Sequence, residues 1–280
     1  MVKFTTIIEH AVEAAMSAVF DFDLGGKVLR SSTKSDGSFV TELDMRATEI
    51  LEEALHGYLP IVSEERAKSH RLIDDLRDCL VIDPIDGTTP LKRYIRGVPS
   101  CSGFGPMVGV VFEGRLVATV FGDIYSKSVV TAEQGRGVRV RKLGSRATHK
   151  VPKVRPVSLD HAAMIMNVAS AREALLAYQL RDEGVVEAVF RYGAISNDCW
   201  RIAQGLEEVL LQLRLKPWDF AAVLIAAECG AEVLVDPLGK GVALVEWQVC
   251  SNNPVLIANT RDNMGLLKSI RRLLKTKPRL

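Results

Sequence analysis

Apolar residues recur at helical spacing twice near the start of the chain, at Ile8, Val12, Ala15 and Val19 and again at Ala47, Ile50, Leu51, Ala54 and Leu55. Both patterns predict amphipathic helices. A short unbroken apolar run, Cys79-Leu80-Val81-Ile82, then leads straight into Asp83 and predicts a buried strand that delivers carboxylates to its end. Residues 107–112 and 116–121, separated by Glu113-Gly114-Arg115, and then residues 128–131 predict antiparallel hairpins. Beyond a polar, proline-bearing stretch from Gly144 to Pro156 the pattern changes. Short apolar runs at 163–168 and 210–215 alternate with helical ones such as 220–228, which stops at Gly230 before the strand-like 232–235. This alternation predicts a more α/β second half. It places a boundary near residue 150, between an α+β half over 1–150 and an α/β half over 151–280, with one core able to serve both.

Bulk properties exclude more than they assign. A formal net charge of +2 is too mild to argue for a nucleic-acid partner, and the Arg136, Arg139, Arg141 and Lys142 group reads as a solvated loop or strand edge. Five cysteines, Cys79, Cys101, Cys199, Cys229 and Cys250, are widely spaced and mostly set among apolar neighbours, as expected of reduced residues in a cytoplasmic protein. None is two or three positions from another, and the five histidines are scattered, so the pattern is not that of a zinc site. Lys3, Glu9, His10 and Glu13 interrupt the first apolar pattern, which argues against a signal peptide, and no uncharged stretch has the length of a membrane span.

Four segments carry acids with chemical promise: Lys34-to-Asp44 (KSDGSFVTELD), 61–65 (IVSEE), 83–89 (DPIDGTT) and 217–222 (PWDFAA). Taken singly, three have plain structural readings. Thr41-x-x-Asp44 has the form of a capping box, Glu64-Glu65 that of a solvated pair after a strand, and Asp219 that of a helix cap. The third segment resists such a reading. Two carboxylates about 4 Å apart repel by roughly 4 kcal/mol at an effective dielectric near 20, so Asp83 and Asp86 at the end of a buried strand need neutralising. A cation does this, and all-oxygen ligation suits Mg2+ or Mn2+. Gly87-Thr88 then turns the chain into a helix whose free N–H groups favour an anion, with phosphate the natural partner of such a cation.

This ordered set, E-E after a strand, D-P-I-D-G-T, and much later W-D opening a helix, resembles the inositol monophosphatase family of magnesium-dependent, lithium-sensitive phosphatases. The resemblance runs from Lys34 to about Asp236. It implies a layered α/β/α/β/α sandwich, with an antiparallel sheet in the N-terminal half and a mixed sheet in the C-terminal half, and a homodimer. It also implies that Glu64, Asp83 and the Ile85 carbonyl hold one Mg2+ and that Asp83, Asp86 and Asp219 hold a second. Glu65 stands behind them, and a third, weaker ion is shared at Glu64. Mn2+ is expected to substitute and Li+ to inhibit. By the same resemblance Thr88 and Asp44 orient the attacking water, and the Gly87 and Thr88 N–H groups bind phosphate.

The chain departs from the family pattern in places. Pro90 stands where asparagine is frequent, a change a first helical turn tolerates. Gln212, seven residues before Asp219, stands where many relatives have a glutamate that binds substrate hydroxyls or an amine; glutamine keeps an acceptor without the charge. Gln212 therefore reads either as a substrate contact or as a surface amide. Arg96 in the 93–99 loop and Asp198 in NDCW are likewise open to substrate-facing or structural readings. The function expected is a phosphomonoesterase acting on a small alcohol phosphate, an inositol-1-phosphate-like polyol before histidinol phosphate, with a 3′(2′),5′-bisphosphate nucleotide or fructose 1,6-bisphosphate behind them. A catalytically silent paralogue that binds metal and phosphate is the alternative of a different class. No nucleic-acid or membrane partner is expected.

Overall fold

The computed structural model describes residues 2–22, 30–33, 39–66, 76–98, 102–168, 170–236, 242–243 and 253–275. Residues 34–38, Pro99, Cys101 and Cys250, which the sequence reading drew on, lie outside the described residues. Two helices open the chain, as the spacing predicts: α1 (Val2–Phe20) and α2 (Glu42–Leu55), with the short strands β1 (Ser31–Thr33) and β2 (Phe39–Thr41) between them. Their apolar stripes pack together, with Ile8, Val12, Ala15 and Val19 of α1 and Ala47, Leu51 and Leu55 of α2 in one buried cluster. Of the five cysteines, Cys79, Cys199 and Cys229 are buried and free.

Among the described residues, β3 (Ile61–Ser63), β4 (Cys79–Asp86), β5 (Gly105–Phe112), β6 (Arg115–Asp123), β7 (Ser128–Glu133), β8 (Gly137–Lys142) and β9 (Thr148–Lys150) form a seven-stranded sheet in that order. It is antiparallel except where β3 pairs with β4. The second half supplies β10 (Ala163–Met166), β11 (Ala188–Phe190), β12 (Val209–Gln212), β13 (Glu232–Val235), β14 (Val242–Ala243) and β15 (Val255–Ala258). These make a six-stranded mixed sheet, order β11-β10-β12-β15-β13-β14, parallel across its first three strands.

Alternation along the strands assigns each sheet face to a helical layer. In β5, Val108 and Val110 face α1 and α2, whereas Met107 and Val111 face α5 (Ile195–Gln204) and α6 (Val223–Glu228). In β15, Val255 and Ile257 join that same central cluster, while Leu256 and Ala258 turn to α4 (Ala171–Asp182) and α7 (Asn263–Lys275). The result is the expected α/β/α/β/α sandwich, with α5 and α6 as the filling between the sheets.

The basic group on β8 is less solvated than its sequence suggests. Arg139 reaches Glu133 at 2.7 Å and Glu9 at 3.2 Å, and Arg141 reaches Glu13 at 2.5 Å, so β8 is tied to α1 by charge. Among the described residues no helix is long and apolar enough to cross a membrane.

Candidate metal centre

The site begins with an irregularity. Residues three apart on a regular strand point to opposite faces, yet Asp83 pairs with Met107 and Asp86 with Gly105, so three steps of β4 oppose two of β5. Pro84 has no N–H to give the ladder, and the resulting bulge cancels the odd spacing. Asp83 and Asp86 are both buried, at 3% and 7% exposure. Asp219, in the 3₁₀ turn Asp219–Ala222 that leads into α6, completes the group: one carboxylate oxygen from each of the three lies within 4.8 Å of the others.

Each acid is oriented by backbone. Asp83 Oδ1 accepts from Ile85 N at 3.1 Å, Asp219 Oδ2 from Lys216 N at 3.1 Å, and Asp86 Oδ2 from Ser196 N at 2.5 Å. Burial is the main cause that lifts Asp83 well above the ordinary carboxylate range, followed by the charges of Glu64, Asp86, Asp219 and Asp44. Asp219 is lifted likewise by burial, Asp86 and Glu64, opposed by its Lys216 contacts. Asp86 is pushed up to about 6 by burial, against the lowering effect of its bonds to Ser196 and Ile195. Carboxylates gathered this tightly, each surrounded by negative neighbours, fit a hard divalent cation with oxygen ligands. Glu64 follows β3, with its N–H on Ile82 O at 3.0 Å, and its charge acts on all four aspartates of the site. Arg66 anchors this turn through a bidentate pair with Glu52 of α2. Glu65 acts by charge on Asp44.

Asp44 does form the capping box read from sequence. Its Oδ2 accepts from Thr41 N at 2.7 Å and from the Thr41 hydroxyl, while Thr41 Oγ1 accepts from Asp44 N. Burial raises its carboxyl to about 6 against those Thr41 bonds, with the charges of Glu65 and Glu64 adding to the rise.

Gly87 caps α3 (Thr88–Ile95) at φ +95°, and a Cβ there would lie 2.8 Å from Ala194 Cβ and 3.0 Å from Phe104 Cβ. Only glycine satisfies both the left-handed backbone and the close approach. Thr88 is the first residue of α3 and Pro90 the third, where a proline costs no intrahelical hydrogen bond. The helix mouth therefore opens beside the aspartates.

The remaining sequence candidates divide. Asp198 is buried on the first turn of α5, its carboxyl raised well above the usual range by burial and then by Asp86. Gln212 ends β12, half-buried, with its Nε2 donating to Arg214 O at 3.4 Å. Arg96 is exposed at the C-cap of α3. Sequence reading missed the entry into α5, where the Ser196 N–H of its first turn holds Asp86 and Ala194, just before it, meets Gly87. The Gly193-Ala194 pair before a helical run was its one local signal.

Comparison with known proteins identifies the family and the fold. The family model described as the inositol monophosphatase family matches residues 3–275. Nus factor SuhB of Escherichia coli is 26% identical over 256 residues, covering 85% of this chain and 88% of the relative; that of Vibrio cholerae is 26% identical over 252 residues, covering 84% and 87%. Among solved structures, the Thermotoga maritima IMPase superposes with a TM-score of 0.76 at 18% identity, covering 98% of this chain and 99% of that one. An IMPase/NADP phosphatase complexed with Mg2+ and phosphate gives 0.76 at 19%, covering 95% and 94%. Likeness at that identity speaks for the fold alone, but the family match spans nearly every residue: the chain belongs to the inositol monophosphatase family.

Proposed function

We propose that this protein is a Mg2+-dependent phosphomonoesterase that hydrolyses a small polyol phosphate of the inositol-1-phosphate type. The observation that carries the reading is the convergence of Asp83, Asp86 and Asp219 within 4.8 Å, beside the mouth of α3. Glu64, Asp83 and the Ile85 carbonyl would hold one ion and Asp83, Asp86 and Asp219 another, with a third shared at Glu64 and Glu65 behind it. When bound, Mg2+ supplies Lewis acidity to the phosphoryl oxygens and the leaving group and makes water a stronger nucleophile.

The chain's own residues do the rest. The Gly87 and Thr88 N–H groups have no intrahelical acceptor and bind phosphate oxygens. Asp44 Oδ2 is engaged by Thr41, which assigns Oδ1, together with the Thr88 hydroxyl, to the task of aiming the attacking water. Gln212 offers an uncharged amide to the leaving group, and Lys216 sets a cation beside Asp219. Together these features suit hydroxyls and disfavour an amine, so we rank histidinol phosphate second and the nucleotide and sugar bisphosphates after it.

The curated relatives bear the name Nus factor, and a non-catalytic role of that kind is the second reading. The retained water-aiming pair, Asp44 and Thr88, favours turnover. A phosphate-release screen with Mg2+ across inositol 1-phosphate, histidinol phosphate, adenosine 3′,5′-bisphosphate, NADP and fructose 1,6-bisphosphate tests both. Release from inositol 1-phosphate that stops with EDTA supports the proposal. Silence on every ester and on a generic aryl phosphate, with Mg2+ or Mn2+, would overturn it.

A further inference from the structure

Asp86 is held from a distance of 110 residues. Its Oδ2 takes the Ser196 N–H, so its direction depends on where the first turn of α5 sits. Besides the core packing of Ile195 and Cys199 and the Gly103 N–H bond to Asn197 Oδ1, two contacts flank the entry to that turn. Ala194 rests against Gly87, on the side of the site itself. On the other side is a cluster that the chemistry above does not use. Tyr192 Oη donates to Glu207 Oε1 at 2.7 Å, and Arg201 grips the same carboxylate with Nε at 2.8 Å and Nη2 at 2.6 Å. The Arg201 guanidinium also stacks 4.3 Å from the Tyr192 ring centre.

The topology of this cluster is that of a clamp. Arg201 lies in the last turn of α5 and Glu207 just past its end, while Tyr192 precedes its start. The cluster therefore binds the incoming strand of chain to the far end of the helix it is about to form. Glu207 is 3% exposed, so its bonds are shielded and directional rather than a screened surface pair. Only Gly193, at φ +91°, and Ala194 separate Tyr192 from the first residue of α5, which leaves little slack between clamp and site.

We propose that Tyr192 is a positioning residue: through Glu207 and Arg201 it fixes the start of α5 so that the Ser196 N–H holds Asp86 in the orientation a cation requires. The inference rests on the metal-dependent reading of the site and adds to it a group that touches neither ion nor substrate. Residues that orient metal ligands in this indirect way typically alter affinity or rate by about 10- to 100-fold when lost.

The test is Tyr192→Phe in the full chain, which removes one oxygen and keeps the ring under Arg201. The readouts are the Mg2+ concentration that gives half of the thermal upshift, and kcat and KM on p-nitrophenyl phosphate. The expected result is a Mg2+ midpoint raised about tenfold and a matching fall in kcat, with KM and the metal-free melting temperature little changed. Arg201→Lys, which keeps the charge but loses the two-pronged grip, should show the same signature, and the double variant should be no worse than either single one because both act through Glu207. A lowered metal-free melting temperature with an unchanged Mg2+ midpoint and unchanged kcat would overturn the inference and leave the clamp a purely structural device. A wild-type protein indifferent to Mg2+ would sink the phosphatase reading as well, whereas a wild type and a Tyr192→Phe variant that respond identically would sink this inference alone.

Discussion

Asp86 and Asp44 carry similar charge in similar burial, but the structure gives them different neighbours and so different expected losses. Asp86 has Asp83 and Asp219 around it, and its Ser196 bond survives replacement by an amide, whose oxygen still accepts. Asp86→Asn should therefore lower kcat by about a hundredfold or more while costing little thermal stability; near-normal turnover with Mg2+ would refute the ligand assignment. Asp44 is tied to Thr41 rather than to the three-acid cluster. Asp44→Asn should leave the Mg2+ midpoint largely intact and cut kcat by about 10²-fold, and a large loss of Mg2+ affinity would instead make it a ligand. Gly87 is the residue most constrained by geometry. Gly87→Ala forces a Cβ into Ala194 at a left-handed φ and should cost about 1–3 kcal/mol, read as a fall in melting temperature.

At the scale of elements, the link between α1 and β8 makes its own prediction. Burial would raise Glu133, but the Thr5 hydrogen bond and the Arg139 bond and charge outweigh it and hold the carboxyl below its ordinary value. A depressed folded-state value contributes stability above the unfolded-state pKa, and that contribution fades as pH falls through the folded one. Wild type should thus melt above Glu133→Gln at neutral pH, with the gap closing as the solution is acidified past the usual glutamate range. A gap that stays constant with pH would show that the packing of the side chain, not its charge, matters. The bulge in β4 is the other element-scale device: without Pro84 and the register shift, Asp83 and Asp86 would face opposite sides of the sheet.

Across the whole molecule, the acids come from places far apart in sequence: Glu64 after β3, Asp83 and Asp86 on β4, and Asp219 ahead of α6. Binding a cation between them should therefore stabilise the assembled fold, by about 2.7 kcal/mol when free Mg2+ reaches a hundred times its dissociation constant. A melting temperature that rises with Mg2+ and returns with EDTA is the expected result, and Asp219→Asn should blunt it. A melting curve blind to Mg2+ and Mn2+ would count against the site as a whole.

The amino-acid sequence by itself determined what is local. Apolar period gave α1, α2 and the strand into Asp83, and the short motifs gave the acids, because spacing, turn residues and side-chain chemistry are all written within a few positions of one another. Even there the context was undecided: Asp44 was legible both as a cap and as a site acid, and the structure shows the capping box. The stripe of Leu266, Leu267, Ile270 and Leu273 on α7 is equally present in the pattern. Tertiary structure alone decided the rest. That Arg139 and Arg141 face Glu9 and Glu13, that Ser196 holds Asp86, and that Ala194 demands a glycine at 87 are contacts across about a hundred residues or more. No local period encodes such pairings; they arise only when two sheets stack on the shared α5 and α6 layer and bring those side chains within reach.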